Sequence, residues 1–165
     1  MTIQIRAFVV TVSDACSKGE RADASGEALV ELLQSAGAEI VEKSIVPDDL
    51  EPLTALLKNA ADRENVNLVI TTGGTGVAPR DNTPEATLAA IEREAPGIAE
   101  AMRMQTLGKT PMAMISRGVS GVRSGALIIN LPGSPKAVRE SFAVIAPVLN
   151  HAVALLAGER GGNLH

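Results

Sequence analysis

A single three-layer α/β/α domain around a mostly parallel sheet is the fold that the sequence predicts, on three observations. Ile5 to Val12 and Leu68 to Thr72 are apolar almost without interruption, as strands covered on both faces must be. Segments with leucines at helical spacing alternate with strand-like ones through the first half. The resulting β-α-β-α-β order closes most simply as parallel strands joined by helical crossovers. Each of these strands also runs into a polar loop, and such sheets bind ligands at the carboxyl ends of their strands.

Taken in order, IRAFVVTV is the first strand and DACSKGERADAS a polar loop. Gly26 to Ala36 carries Leu29, Leu32 and Leu33 at helical spacing, with Ser25 as N-cap and Gly37 at the C-terminal cap. Ala38 to Val46 is a second strand, and Pro47-Asp48-Asp49 signals a turn and cap. Leu50 to Arg63 then sets Leu53, Leu56, Leu57 and Ala60 on one helical face. Beyond the third strand and a glycine-rich loop, Pro84 to Glu94 is helical, with Thr83 as cap and Pro84 in the first position. Ile98 to Leu107 is a further helix behind Pro96-Gly97. Met112 to Ser116 and Ala126 to Leu131 read as strands, with RGVSGVRSG between them turning back as a short hairpin. A helix from Pro135 to Ile145 is broken or kinked by Pro147 and resumes through Leu156. No internal repeat is present. Residues 1–157 form the domain, and residues 158–165 read as a flexible C-terminal tail.

Of the 165 residues, 45% are apolar and 21% charged, which supplies one core and argues against disorder. With two Phe and no Trp or Tyr, that core falls to Val, Ile, Leu and Ala. A net charge of −4 provides no field of Lys and Arg, and the chain has no aromatic platforms for stacking. No nucleic-acid partner is therefore expected. A lone cysteine, Cys16, rules out an intrachain disulfide and a cysteine-rich metal site. MTIQIR runs into a strand without the features of a signal peptide, and no segment approaches the ~18 apolar residues of a membrane span. The expectation is a cytoplasmic protein with no membrane partner.

Four polar loops follow strand ends: Ser13-Asp14 onward, Pro47-Asp48-Asp49, Thr71 to Thr83, and Leu131 to Lys136. In TTGGTGVAPRDNTPEAT, Gly73, Gly74 and Gly76 let backbone N–H groups approach an anion, and Thr71, Thr72 and Thr75 offer hydroxyl donors. The helix start that follows favours negative charge by roughly 0.3–1 kcal/mol when exposed. The loop lacks the GK[ST] of a P-loop, and Pro79 stands where the third glycine of a dinucleotide fingerprint belongs. Asp81, beside Arg80, would repel a phosphate unless a cation lies between them. Mg²⁺ suits that place, because it takes one or two carboxylates and completes its shell with water and phosphate oxygens. Asp48 is placed to face Asp81 across the strand ends. Plainer roles stand beside these: Asp48 or Asp49 caps the helix from Leu50, and Asp81 makes a turn. In PGSPK, Lys136 opposes the dipole of the helix beginning at Pro135 unless an anion lies there, while Ser134 is also a simple cap. His151 and His165 lie in the last helix and the tail, so a Ser or Cys nucleophile has no evident base. GVSGV around Ser120 is not G-x-S-x-G, and Cys16 beside Lys18 reads as an unpaired thiol.

VSDACSKGERADASG, IVPDD, TTGGTGVAPRDNTPEAT, SRG at Ser116 to Gly118 and NLPGSPKAVRE together resemble the molybdopterin adenylyltransferases. This is the Mog/MoaB-type family that includes the gephyrin G domain, and the resemblance runs from about Ala7 to Leu156. It implies a MoaB/Mog-like fold and Mg²⁺-dependent transfer of AMP from ATP to the phosphate of molybdopterin, giving adenylated molybdopterin and pyrophosphate. It puts two catalytic, metal-binding acids at Asp48 and Asp81. It puts nucleotide and pterin phosphate binding on Thr72, Gly73, Gly74, Thr75, Gly76, Pro132, Gly133, Ser134 and Lys136, supported by Ser13, Asp14, Ser116 and Arg117. The implied partners are ATP, molybdopterin, two further copies of the chain in a homotrimer, and a separate molybdate-insertion protein. The attacking phosphate is already anionic, so catalysis reduces to positioning and charge neutralisation and needs no histidine. In two places the chain departs from the family pattern. Ala15 stands where many relatives have Arg, which removes one anion contact, and Asn82 follows Asp81 where an apolar residue is common. A molybdopterin-binding or assembly module without turnover is the alternative, and retention of both acids favours the enzyme.

Overall fold

The computed structural model describes residues 2–158, so the tail expected at 158–165 lies, past Gly158, outside the described residues. Strand β1 (Arg6–Val12) alternates its side chains between two cores, as a strand with both faces covered must. Ala7 and Val9 join Leu29, Leu33, Phe142 and Ile145 on one face; Phe8 and Val10 join Leu53, Leu57 and Ala86 on the other. The first half follows as α1 (Asp14–Ser17), α2 (Ala24–Ser35), β2 (Glu39–Val46), α3 (Leu50–Ala61) and β3 (Leu68–Thr72). The second half is α4 (Thr83–Ala90), β4 (Arg93–Glu94), α5 (Pro96–Leu107), a 3-10 turn (Pro111–Ile115), β5 (Ser120–Arg123), β6 (Ala126–Leu131) and α6 (Pro135–Leu156). The sheet order is β2-β1-β3-β6-β5-β4. β2, β1, β3 and β6 run parallel, β5 runs against them, and the two-residue β4 pairs antiparallel with β5. Helices α2, α5 and α6 cover one face and α3 and α4 the other, which is the three-layer arrangement expected.

Several local expectations are corrected. The loop after β1 holds the short helix α1. Helix α2 is capped by Asp23 rather than Ser25: Asp23 Oδ1 accepts from the Gly26 N–H, and its Oδ2 accepts from the Thr11 hydroxyl. Lys43 pairs with the same carboxylate at 2.8 Å. Burial pushes Asp23 up, but these partners together hold it below the usual carboxylate range. Helix α4 begins at Thr83, with Asn82 in the cap position, and stops at Ala90 because Arg93–Glu94 pair with β5. Met112 to Ser116 is not a strand. Pro111 and the Thr110 hydroxyl, which accepts from the Met112 N–H, start a 3-10 turn there, and β5 already occupies the place beside β6. The hairpin is therefore β5–β6, turning on Ser124 and Gly125, both with positive φ.

Pro147 neither ends nor interrupts α6, which runs through it. Pro147 and Ala143 both lie on the solvent face, where water can serve the carbonyl that the proline leaves unpaired. Against the sequence expectation, α6 is long and apolar enough to cross a membrane by length and composition, with a mean hydropathy of 1.2. Its Val138, Phe142, Ile145, Leu149 and Val153 instead fill the core.

Candidate active site

The carboxyl ends of β1, β2, β3 and β6 lie at one end of the sheet, and the loops after them enclose a cleft of about 530 Å³. Residues expected from all four loops line it: Ser13 and Asp14, Asp48, Gly73, Gly74 and Asp81, and Gly133 and Ser134. The walls close only because two loops lack side chains where they meet. Gly73 (φ +98°) would put a Cβ 2.3 Å from the Val12 carbonyl oxygen. Gly74 (φ +66°) would put one 2.4 Å from Asp48 Oδ2. Both positions thus demand glycine on conformation and on space.

The loop's polar groups divide between bracing and offering. The Gly73 N–H donates to the Leu131 carbonyl at 3.1 Å. The Thr72 hydroxyl donates to the Pro132 carbonyl at 2.7 Å, and Thr71 accepts from Asn130. The threonines therefore tie β3 to β6; they do not present hydroxyls to the cleft, and Thr75 is likewise buried. Among the described residues, the N–H groups of Gly74, Thr75 and Gly76 have no protein acceptor. Ser134 caps α6 by accepting from the Ala137 N–H at 3.2 Å, so the capping role holds, and the residue also lines the cleft. Lys136 is exposed and is not part of the cleft wall.

Carboxylates from three loops line the cleft: Asp14, Asp48 and Asp81. Asp48 is 5% exposed. Burial raises its carboxyl to about 6, against the lowering effect of the Asn82 N–H, and the neighbouring Asp81 and Asp14 add to the rise. Asp14 is held at about 2 by Arg80, whose Nε and NH2 donate to it at 2.8 and 3.0 Å, and by the Asp48 N–H. Arg80 also reaches Asp49 at 3.0 Å, so the Asp49 side chain pairs with a cation instead of capping α3. Asp81 accepts the Ala78 N–H on Oδ2, a local turn that leaves Oδ1 free.

These donors fit Mg²⁺. Asp48 Oδ2 takes no hydrogen bond among the described residues, and Asp81 has a free oxygen on the same cleft. No group of three or more His, Cys, Asp or Glu is gathered for an ion among the described residues. The described residues thus form no all-protein cage, and two carboxylates suit a cation that takes its other ligands from water and phosphate.

Arg117 and Ser116 lie off the cleft, but Arg117 grips its loop from behind. Its backbone N–H donates to the Thr75 carbonyl, its Nε to the Gly76 carbonyl and its NH2 to the Asp81 carbonyl, the last two at 2.7 Å. It also pairs with Glu85. One cation outside the sequence reading also reaches the cleft. Arg21 lines the cleft and donates to Ser13 Oγ at 3.2 Å. The only available signal was that it is one of two cations, with Lys18, in the polar stretch after the first strand.

A second hollow of about 120 Å³ shares the Pro132-Gly133 segment as a wall. Ala99, Met102, Ala113, Pro132 and Ala137 make it mostly apolar, and Arg103, Ser116, Glu140 and Ser141 add polar groups.

Residues 8–151 match the protein family described as "Probable molybdopterin binding domain". The chain is 41% identical over 152 residues to the molybdopterin adenylyltransferase of Helicobacter pylori J99, covering 91% of this chain and 86% of that one. It is 42% identical to the molybdenum cofactor synthesis protein cinnamon of Drosophila melanogaster, but spans only 25% of that protein's length. Among solved structures, the molybdopterin biosynthesis enzyme MoaB of Thermus thermophilus superposes with a TM-score of 0.88 at 49% identity, over 94% of this chain and 98% of that one. The Mog protein of Mycobacterium ulcerans does so with a TM-score of 0.87 at 37% identity, over 96% and 100%.

Proposed function

Because the chain belongs to the molybdopterin-binding domain family, we propose that it acts in molybdenum cofactor biosynthesis as a molybdopterin adenylyltransferase, moving AMP from ATP to the phosphate of molybdopterin. The observation that carries this reading is Asp48: a buried carboxylate with a free oxygen and no cation of its own, on the cleft it shares with Asp81 and with Gly74, whose N–H has no protein acceptor among the described residues.

In this reaction a molybdopterin phosphate oxygen forms a bond to the α-phosphorus of ATP. The bond from that phosphorus to the bridging oxygen breaks, and pyrophosphate leaves with the electron pair. Asp48 and Asp81 would hold Mg²⁺, whose charge, when bound, offsets that on the transferred phosphoryl group and pyrophosphate. The Gly74 N–H, on the cleft wall, offers a donor to a phosphate oxygen without reorganisation, and Arg21 and Arg80 supply positive charge at the cleft. Gly73 and Gly133 let the two loops approach closely enough to align nucleophile and leaving group. The flat apolar hollow behind Pro132 suits the pterin, next to the cleft where its phosphate must react.

A homotrimer, a cytoplasmic location and delivery to a molybdate-insertion protein belong to the same proposal. Exposed Met104, Leu107, Met112, Met114 and Ile115 on α5 and the 3-10 turn give assembly an apolar surface to cover. Incubating the protein with ATP, Mg²⁺ and molybdopterin tests the activity by mass spectrometry. Adenylated molybdopterin is the expected product; retained but unmodified molybdopterin would mean a binding module.

A further inference from the structure

The pocket behind Pro132 sets polar groups from α5, the 3-10 turn and β6 among apolar walls, and one wall of α6 adds two more. Ala137, Glu140 and Ser141, at i, i+3 and i+4, share a helix face that lines it. Ser141 is 4% exposed, and its hydroxyl has no hydrogen-bond partner among the described residues. Glu140 is half-buried and forms no ion pair or hydrogen bond among them, although Arg103 lines the same pocket and donates instead to the Gly118 carbonyl at 2.8 Å. No buried side-chain nitrogen or oxygen among the described residues lacks a partner, so these two groups stay open to the pocket, where a ligand can take the place of water on them.

Resting on the adenylyltransferase reading, we propose that Glu140 is the specificity-determining residue for the 2-amino-4-oxopyrimidine ring of the pterin. Its two oxygens accept the ring N3–H and 2-amino hydrogens side by side, and the Ser141 hydroxyl donates to the 4-oxo group. The walls from Met102, Ala113 and Pro132 cover the ring faces. A carboxylate is acceptor-only, so it favours a ring edge with two adjacent donors and repels one that carries oxygen there. The same edge occurs in guanine, but the small pocket would also have to admit a ribose.

Binding of pterin, lumazine (the 2-oxo analogue) and guanosine, measured by equilibrium dialysis without ATP, tests this on the full chain. The wild type should hold pterin at least about tenfold tighter than lumazine. Glu140→Gln should lose about 10- to 100-fold for pterin and little for lumazine, and Ser141→Ala should lose less. Steady-state rates should show a raised KM for molybdopterin in Glu140→Gln and an unchanged KM for ATP, a split that general loosening of α6 would not produce. If the wild type adenylates molybdopterin but the pterin-to-lumazine ratio survives Glu140→Gln, this inference alone falls. Guanosine bound as tightly as pterin would overturn the pterin as the ring that is read. A wild type that neither holds pterin nor adenylates molybdopterin would remove the proposed function and this inference together.

Discussion

The Asn82 N–H donates to Asp48 Oδ1 at 3.0 Å, so the acid that follows β2 is fixed by the loop that follows β3. The Asn82 side chain adds a second tie, its Nδ2 donating to the Asp48 carbonyl at 3.1 Å and to the Arg80 carbonyl at 3.3 Å. The loops that carry Asp48 and Asp81 are thereby cross-linked before any substrate arrives, which is the preorganisation that phosphoryl chemistry rewards.

Asn82→Ala keeps the backbone bond and removes the side-chain tie. The loss in stability should be about 1 kcal/mol, read by urea denaturation. The fall in kcat should be larger than that stability change suggests, about tenfold or more, because the separation of the two acids loosens.

Asp48→Asn should abolish adenylation and yet stabilise the ligand-free protein at neutral pH. The folded state raises this carboxyl from 3.8 to about 6, so it holds the proton more tightly than the unfolded chain does. Stability from that proton is fully present below 3.8 and is lost as pH rises through about 6. Above that, the ionised Asp48 weakens the fold by up to about 3 kcal/mol. Thermal melts at pH 4 and pH 7.5 should show the variant's gain only at the higher pH.

Gly74→Ala tests the close approach. The new methyl would fall 2.4 Å from Asp48 Oδ2 and 2.3 Å from Thr83 Oγ1, on a backbone at φ +66°. The expected cost is about 1–3 kcal/mol in stability, with activity lost. A variant with wild-type kcat would show that the loop's shape is not what positions Asp48.

Arg117→Lys keeps the charge but cannot reach the Gly76 and Asp81 carbonyls with one rigid fork. It should lower kcat about tenfold or more, in the manner of a positioning residue, while substrate binding measured by dialysis changes much less.

The sheet and its ligand end were legible because uninterrupted apolar strands and leucine-spaced helices leave little choice of topology. Asp48, Asp81 and the glycine loop were legible because each follows a strand, where this architecture gathers loops. What escaped depends on side-chain partners that spacing does not encode. Nothing local says that Asp49 will pair with Arg80 and not cap α3, or that Asp23 will be drawn to cap α2 by Thr11 and Lys43. The apolar MAMIS segment looked like a strand, but the sheet position beside β6 went to β5. Lys136 looked like an anion contact from its place in the first helical turn, yet its side chain is exposed and off the cleft wall, while Arg21, eight residues past Ser13, folds back onto it.

The most direct test of the account is Mg²⁺-dependent pyrophosphate release from ATP, with and without molybdopterin, by the wild type and by Asp81→Asn. Release that requires molybdopterin and falls by several orders of magnitude in the variant, with molybdopterin still bound, is the predicted result. Full release by Asp81→Asn, or release indifferent to molybdopterin, would contradict it.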